Sequence, residues 1–455
     1  MYYNTFMSKS HFFLNWKQYL FLFILGFILC TLFSGLLHYW GCLDQYSTQD
    51  ERFHINRKTL RKIFPVNSYK AIISINPENI GDFLPIYEVA QGIRIDPDFH
   101  MYQAEQLRAH RSSFVYTPFA ALLISPFVKA GMTLYQTASV IKIINQLLWF
   151  ASFVMLMRIV FYNHSITLPL ALLFALHYLL FYPLARSLEL TQAGVWIFFF
   201  LVLAAFLLQS HRHIAAGLTL AFGVSIKPHL GLMVIPLAVT PQFPKKMLGA
   251  CLAGIFIAAV ASLIYAGLDN CFDYISYALP TLSSGYAFYP NKSINGLLLR
   301  LFTLEDPSVY NLALPVPWIK ICSLLFGIFM LCLAMLYCRN CININKNEDN
   351  VFCYTFCLVI ITVASPICWE HHLAALLIAF SVVVKTLWNN PWLRNPTLEV
   401  LLFISILAVG CYYDGQCLSG FPKGLFSGIE LYGALLLIGC MMWILLRIKK
   451  QLIGS

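Results

Sequence analysis

Charged residues are scarce in this chain, and their scarcity excludes most classes of soluble protein. Asp, Glu, Lys and Arg make up 11% of the 455 residues, whereas hydrophobic residues make up 59%. A soluble globular protein carries roughly 25% charged residues. The composition therefore predicts an all-α polytopic membrane protein, organised as a single integral membrane domain over residues 1–455.

Long basic runs are also absent, although the net charge is +10. Lys and Arg are mostly scattered singly at the ends of apolar segments, a distribution typical of the cytoplasmic loops of membrane proteins. This pattern argues against a nucleic-acid surface, and we expect membrane lipids rather than nucleic acid as surroundings.

A signal-peptide cleavage site is lacking after the first apolar run. Residues 19–37 are apolar and follow Lys9 and Lys17, but no small-residue site comes after them. The pattern predicts an uncleaved signal anchor. The two lysines place the N-terminus in the cytoplasm.

Apolar runs fill most of the remaining chain. A spanning helix needs about 20 apolar residues, and shorter helices are possible inside a bundle. The runs occupy residues 18–39, 115–130, 139–161, 165–182, 192–209, 213–226, 229–243, 246–266, 317–337, 351–366, 371–385, 398–413 and 429–446.

Basic loops predict the orientation of these runs. The loops that we expect in the cytoplasm contain Arg158, Arg212, Lys245 and Lys246, Arg339 and Lys346, Lys385 and Arg394, and Arg447, Lys449 and Lys450. These loops require the chain to alternate between the two sides of the membrane. Three apolar runs lie between residues 114 and 191, but the basic loops allow only two crossings there. One of these runs, 115–130, contains Pro118 and Pro126. We therefore interpret it as a re-entrant or surface-lying helix, which leaves about 12 transmembrane helices and both termini in the cytoplasm.

The same alternation requires residues 213–243 to cross outward and return. Lys227-Pro228 would lie at the turn, because proline removes a backbone donor and breaks a helix. Three longer polar segments face outward: 40–114 and 267–316, the first and second outer loops with interfacial helices, and 414–428.

Asp82 is the most informative residue of the first outer loop. It opens the stretch Asp82-Phe83-Leu84-Pro85-Ile86-Tyr87, in which a carboxylate precedes an apolar and aromatic segment. A carboxylate at the membrane surface suits a general base that deprotonates a sugar hydroxyl. A structural role as a helix N-cap is the alternative, because Asp is favoured at that position.

Other polar residues occur at the predicted outer ends of helices. Ionisable groups at membrane depth are costly and usually face a cavity or a functional path. Five chain segments place such groups at the same face, and these groups include Asp82, Arg186, Glu189, Gln192, Lys227, Asn291, Arg300, Glu370, His371 and His372.

Metal-ligand patterns are weak in this sequence. Cys338 and Cys341 form a single C-x-x-C motif without a second pair. His371 and His372 are adjacent, and neighbouring helical residues point about 100° apart, which disfavours chelation of one ion. We expect no metal and no cofactor. Lys, Arg and His together instead suit a phosphate group, because each donates charge-assisted hydrogen bonds.

Single members of this set have simpler interpretations. Lys227 could extend its ammonium to the membrane surface. Arg300 could pair with Glu305 or with a lipid phosphate.

In combination, these motifs resemble the GT-C glycosyltransferases, and among them the polyprenol-phosphate-mannose-dependent α-1,2-mannosyltransferase-like family, glycosyltransferase family 87. The resemblance covers roughly residues 75–380 and is carried by short motifs in the family's order. These are Asp82 to Tyr87 with Ala90 and Gly92, Phe114 to Pro118 through Pro126, Thr191-Gln192, Ala216-Gly217 through Lys227-Pro228, Asn291-x-Ser293 with Arg300, and Ser365-Pro366 with Trp369, His371 and His372.

The resemblance implies a GT-C-like fold and transfer of a hexose, mannose in the family, from a polyprenyl-phosphate sugar to a lipid or glycan acceptor. The reaction would need no metal and would take place on the outer face of the membrane, the bacterial plasma membrane. Asp82 would be the general base. Residues that would contact substrate are Tyr116, Gln192, Lys227, Asn291, Arg300, His371 and His372.

Two positions depart from the family pattern. Thr191 stands where the family usually has Gly, and Glu370 lies directly beside the histidine pair. The second departure puts the identity of the donor in question.

Two other functions fit parts of the sequence. A transporter or flippase for a lipid-linked or anionic solute would also place polar groups in a membrane, but such proteins often have internal repeats, and none is visible here. The second is a ligase that attaches a preassembled glycan. Sequence alone distinguishes such a ligase poorly from a transferase that moves a single sugar.

Overall fold

In a computed structural model of the chain, the residues described are 18, 21–26, 28, 80, 82–96, 98–102, 114–161, 167–241, 243–303, 316–339, 346–411 and 424–454. Most of the first predicted span at 18–39, most of the loop 40–114 and much of the segment 414–428 lie outside these residues, as do Lys9, Lys17 and Glu305.

Helices form almost all of the described chain. They are α1 (Leu84–Ile95), α2 (Pro118–Lys129), α3 (Leu134–Val160), α4 (Leu168–Leu180), α5 (Tyr182–Glu189), α6 (Gly194–Gln209), α7 (His213–Ile226), α8 (Val234–Val239), α9 (Lys245–Asp273), α10 (Leu279–Leu282), α11 (Ile294–Phe302), α12 (Pro317–Arg339), α13 (Lys346–Ala364), α14 (Leu376–Asn389), α15 (Pro396–Gly410) and α16 (Ile429–Gly454). Shorter helical turns are the 3₁₀ helices Pro228–Met233, Glu370–Ala375 and Pro391–Leu393 and the π-helix Tyr274–Ala278.

Local sequence signals start several of these helices. Proline lies in the first turn of α1, α2, α4 and α5. Its missing N–H has no helical partner at that position, and its fixed φ suits the helix. α3 begins with a capping box, in which Thr133 accepts from the Gln136 N–H and the Gln136 side chain accepts from the Thr133 N–H.

Five helical segments are long and apolar enough to cross a membrane, or six if the bent pair α4 and α5 counts as one span. Their outer surfaces carry exposed apolar side chains such as Phe256, Ile264 and Phe329. These residues suit contact with lipid rather than water. The described structure is therefore that of an integral membrane protein, as the composition predicts.

The predicted count of about 12 spans is not confirmed. Six further apolar helices are shorter, among them α6 with 16 residues and α7 with 14. At 1.5 Å per residue these extend about 24 and 21 Å, less than the ~30 Å of a bilayer core. Sequence hydropathy cannot distinguish such helices from full spans.

The start of α6 and the end of α7 lie at the same end of the helix bundle. α6 begins just after Gln192 and ends before Arg212, and α7 returns from His213 to Ile226. α7 packs closely on α9, since a Cβ on Gly217 would lie 2.1 Å from the carbonyl oxygen of Met247. Gln192 and Lys227 therefore share one end, and Arg212 and Lys245 share the other.

Further helices follow the same arrangement. α13 runs from Lys346 to Ala364, directly before Ser365, while α12 ends at Arg339 beside the start of α13. Arg339 and Lys346 thus lie at the end opposite to Ser365, just as Arg212 and Lys245 lie at the end opposite to Gln192 and Lys227.

α2 lies against α1 and α9. It has 12 residues and contains Pro126, so it extends only about 18 Å. Arg94 donates to the carbonyl oxygen of Val128, and the Tyr87 hydroxyl donates to that of Met132 over 2.8 Å. These bonds join α2 to the first outer loop, an arrangement compatible with a surface-lying or re-entrant helix.

The predicted second outer loop begins as a helix rather than as irregular chain. α9 continues to Asp273 across a kink at Gly267, whose φ of +80° is in the left-handed region that favours glycine. The π-helix and α10 follow, so that residues 267–282 are helical. The irregular part of the described loop is 283–293, which leads into α11.

Candidate active site

A cavity of about 520 Å³ opens at the end of the bundle that holds Gln192 and Lys227. Its volume is within the range of roughly 300–1,000 Å³ found for ligand pockets. Six of the eight residues singled out from the sequence line it, namely Asp82, Tyr116, Gln192, Lys227, His371 and His372. Five separate parts of the chain thus meet in one site.

Asp82 lies in the turn before α1 and does not cap it. The N-cap residue is Phe83, and no side chain caps the helix. The Asp82 carboxylate instead accepts a hydrogen bond at Oδ2 from Nε2 of Gln192. The structural alternative of an N-cap is therefore excluded, and the carboxylate faces the cavity.

Burial raises the pKa of Asp82 above its ordinary value of 3.8. The Gln192 hydrogen bond and the nearby charges of Arg186 and Lys227 oppose that rise. A carboxyl group in such surroundings is a better proton acceptor than an exposed aspartate once it is ionised. The neighbouring Tyr116 stays a neutral phenol, because burial raises its pKa.

Thr191 occupies a backbone conformation that favours glycine. Its φ is +52°, and its side chain is buried. A β-branched residue in the left-handed region is strained, typically by about 1–3 kcal/mol. The backbone makes this turn so that Gln192 can enter the cavity ahead of α6, and this chain makes it without glycine.

Lys227 is in an extended conformation at the break between α7 and the 3₁₀ helix that starts at Pro228. Its ammonium contacts Nε2 of His372 and lies 5.9 Å from the centroid of the Tyr116 ring. His229 follows one residue after the proline and lies 6.2 Å from His372, measured between ring centroids. The break therefore supplies a lysine and an imidazole to the same part of the cavity.

His371 and His372 lie on the 3₁₀ helix Glu370–Ala375. Their rings are perpendicular, with centroids 4.5 Å apart. Nδ1 of His372 accepts from the Trp369 N–H over 3.2 Å, so a neutral ring carries its proton on Nε2, toward Lys227. We call Lys227, His229, His371 and His372 the lysine–histidine cluster.

Arg186 and Glu370, which are not among the eight candidate site residues, also line the cavity. Arg186 Nε donates to Glu370 Oε1 over 3.1 Å, and its Nη1 donates to Glu189 Oε2 over 2.8 Å. The Tyr182 hydroxyl donates to the same Glu370 oxygen over 3.1 Å. The sequence marked Arg186 and Glu370 as polar residues at helix ends but did not indicate that they pair.

Asn291 and Arg300 lie outside the cavity lining, unlike the other six. Asn291 Nδ2 donates to the Tyr286 carbonyl over 2.9 Å, and its Oδ1 accepts from the Cys368 N–H over 3.0 Å. Arg300 donates to the carbonyl oxygen of Asn291 over 2.8 Å. The Asn291 amide and Nη1 of Arg300 hold the loop 286–293 against residues 365–370, so the two residues shape the cavity from behind.

A buried ion pair fixes the same loop to the last helix. Lys292 Nζ lies 2.9 Å from Glu430 Oε1, and both side chains are almost fully buried. The Lys292 N–H donates to the Cys368 carbonyl, and the Glu370 N–H donates to the Pro290 carbonyl. The segments that carry Tyr286, Trp369 and the histidines are thereby joined.

Within the described residues, no three His, Cys, Asp or Glu side chains are grouped so that they could hold a metal ion. The expectation of a metal-free reaction is not tested by this observation and stays a prediction.

The comparison with protein families gives one result. The model of glycosyltransferase family 87 matches residues 114–366, more than half of the chain. No curated protein and no solved structure shows significant similarity to it. The match includes Tyr116, Gln192 and Lys227, whereas Asp82 precedes it and His371 and His372 follow it. The chain belongs to glycosyltransferase family 87, and it is therefore a membrane glycosyltransferase, as the sequence resemblance predicted.

Proposed function

We propose that this glycosyltransferase moves a hexose, mannose by its family resemblance, from a polyprenyl-phosphate sugar to a hydroxyl of a lipid or glycan acceptor. Asp82 acts as the general base, and the lysine–histidine cluster binds the donor phosphate. The observation that carries the proposal is that Asp82, Lys227, His371 and His372 line one cavity.

Asp82 suits the role of base because burial raises its pKa, while the Gln192 hydrogen bond and the nearby positive charges favour the ionised form that accepts a proton. A neutral amide, Gln192, orients Oδ2. Among the described residues, no other side chain is found to donate to this carboxylate. The second oxygen can therefore accept the proton of an acceptor hydroxyl.

The lysine–histidine cluster suits a phosphate. The Lys227 ammonium and the Nε2–H of His372 are both donors, and their close approach favours an anionic acceptor shared between them. The four residues of this cluster include no carboxylate. Burial lowers the pKa of Lys227 to about 7, and an anionic phosphate would favour its charged form. Charge placed where the leaving group develops is usually the largest single contribution in such sites.

The apolar part of the cavity suits a lipid-linked substrate. Tyr274, Leu279 and Leu282 line it from the helical segment after the Gly267 kink. Leu279 is also 41% exposed at the outer surface of the bundle. A polyprenyl chain can therefore extend from the cavity into the membrane along this segment.

The arrangement supports a direct displacement. The acceptor oxygen attacks the anomeric carbon while the bond from that carbon to the phosphate oxygen breaks on the opposite face. The hydroxyl proton passes to Asp82, and the departing lipid phosphate remains paired with Lys227. One carboxylate is sufficient, as in inverting glycosidases, where a base activates the attacking water.

The cavity end is opposite to the basic loops, so we propose that it faces outward and that the termini are cytoplasmic. A bacterial plasma membrane is the expected location. The transporter alternative is set aside, because the chain belongs to a glycosyltransferase family.

Phosphate binding is tested with Lys227→Gln, and Lys320→Gln is the matched control. Lys320 is exposed on α12, near the same end of the bundle, and does not line the cavity. Loss of a charged hydrogen bond, worth about 1.5–3 kcal/mol, should lower kcat/KM by roughly 10- to 150-fold. The measurement is transfer from polyprenyl-phosphate mannose by purified protein.

The control should retain wild-type transfer. Wild-type kinetics in Lys227→Gln, or efficient transfer from a donor without a lipid phosphate, would contradict the proposal.

A further inference from the structure

Glu370 is the second carboxylate of the cavity, and the proposed reaction leaves it without a role. Its Oε1 accepts from Arg186 and from Tyr182, each over 3.1 Å. Its Oε2 is buried and receives no hydrogen bond from the residues that the structure describes. An ionised carboxylate accepts several hydrogen bonds, and a buried oxygen without a donor is unfavourable. The site is therefore incomplete without a further donor.

The charge of this region makes phosphate an unsuitable partner. Arg186 is paired with both Glu189 and Glu370, at 2.8 and 3.1 Å. With two carboxylates around one guanidinium, the region does not offer a free positive charge. A neutral donor such as a sugar hydroxyl satisfies Oε2 without bringing a second negative charge.

Aromatic side chains lie directly beside this carboxylate. Trp369 precedes Glu370 in sequence and lines the same cavity, with Tyr286 and Phe288 next to it. The Trp369 ring centroid lies 5.1 Å from that of Tyr286 and 6.3 Å from that of Phe288. A broad aromatic surface packs well against the C–H face of a pyranose ring, and a neighbouring polar group fixes the ring's orientation.

We propose that Trp369 and Glu370 form a subsite for a neutral pyranose ring, in which Trp369 packs against the ring and Oε2 of Glu370 accepts a hydrogen bond from one ring hydroxyl. The inference deepens the proposed function and rests on it. The ring belongs either to the donor or to the acceptor, since both carry the same chemistry. Glu370 is thus a determinant of sugar specificity and not a second catalytic carboxylate.

The test combines Glu370→Gln with substrates that each lack one hydroxyl. One series consists of polyprenyl-phosphate mannose and its monodeoxy analogues, and the other consists of methyl α-mannoside acceptors and their monodeoxy analogues. In the wild type, removal of the recognised hydroxyl should lower kcat/KM by about 10- to 150-fold. In Glu370→Gln, kcat/KM for the natural substrate should fall by a similar factor. The ratio of kcat/KM between the natural substrate and that one analogue should shrink to about threefold or less.

Glu189→Gln is the matched control. Glu189 pairs with the same guanidinium but does not line the cavity. This variant should keep the wild-type pattern of discrimination. If the sensitive analogue is in the donor series, the subsite binds the donor sugar, and if it is in the acceptor series, the acceptor sugar.

An unchanged pattern of discrimination in Glu370→Gln would overturn the inference and leave Glu370 as a partner of Arg186 only. If Glu370→Gln does not fold, Glu370→Asp keeps the charge and withdraws the oxygen, and it should reduce the same discrimination.

Failure of the proposed function is recognised separately. If the wild type transfers no sugar from a lipid phosphate, equilibrium binding of the methyl mannoside series still tests the subsite. Weaker binding of one deoxy analogue to the wild type, lost in Glu370→Gln, would support the subsite alone, and equal binding of all analogues would reject it.

Discussion

The two carboxylate regions of the cavity differ in what surrounds the carboxylate. Asp82 is held by the neutral amide of Gln192, on a turn before α1. Glu370 is held by the charged guanidinium of Arg186 and by the Tyr182 hydroxyl, on a 3₁₀ helix. Burial raises the pKa of Asp82, whereas Glu370 is fixed in a structural ion pair.

This difference matches the two proposed roles, proton transfer at Asp82 and hydrogen-bond acceptance alone at Glu370. Carboxylates in one site take different roles when their environments differ. Burial raises the pKa of Asp82, whose hydrogen-bond partner is a neutral amide, whereas the hydrogen-bond partners of Glu370 include a permanent cation. On this basis we propose Asp82 as the base and Glu370 as the carboxylate that recognises the sugar.

The largest expected effect is that of Asp82→Asn. Asn keeps the size of the side chain and can still bond to Gln192, but it cannot take a proton. Sugar transfer should fall by about 10²–10⁴-fold, the usual contribution of a general base. The measurement is transfer from a polyprenyl-phosphate sugar by purified protein, with donor binding measured in parallel and expected to be retained.

Two neighbouring exposed carboxylates serve as controls for this variant. Glu88→Gln and Asp96→Asn alter the start and end of the same helix without altering the cavity. Both should transfer sugar normally. Near-normal transfer by Asp82→Asn itself would remove Asp82 from the reaction and reverse the comparison with Glu370.

A smaller effect is expected from Gln192→Met, which removes the hydrogen bond to Asp82. That bond lowers the pKa of Asp82, so its loss raises the pKa further. Asp82 is active when ionised, and transfer is therefore lost as the pH falls through its pKa. The acid limb of kcat/KM against pH should lie above the ordinary aspartate value of 3.8 in the wild type and at still higher pH in the variant.

Gln209→Met, at the other end of α6, is the control for this pH profile and should leave the acid limb unchanged. An identical acid limb in Gln192→Met and the wild type would show that Gln192 does not act on the titrating group.

Most of the cavity-lining candidates could be predicted because the sequence marks where helices end. The Lys227-Pro228 break marks a helix end, and a polar residue at such an end points to a common face of the bundle. Gln192 and His371 were found in the same way, since each is a polar residue at the end of an apolar run. The sequence of the first outer loop alone allowed Asp82 to be either a general base or a helix N-cap. The resemblance to the family favoured the base.

Other features depend on distances that sequence does not encode. Arg186 and Glu370 are 184 positions apart, and nothing local in either segment indicates that they pair. Asn291 and Arg300 have residue types suited to substrate, yet in this loop the Asn291 amide and Nη1 of Arg300 bond to backbone carbonyls and amides. The span count failed to be confirmed because helices such as α7 end at the cavity after 14 residues.

The most direct test of the account is the anomeric configuration of the product, measured by NMR together with mass spectrometry of the protein during turnover. A single displacement with Asp82 as base predicts inversion at the anomeric carbon relative to the donor, and no sugar attached to the protein. Retention of configuration, or a glycosylated Asp82 or Glu370, would contradict the assignment of one base and one recognition carboxylate.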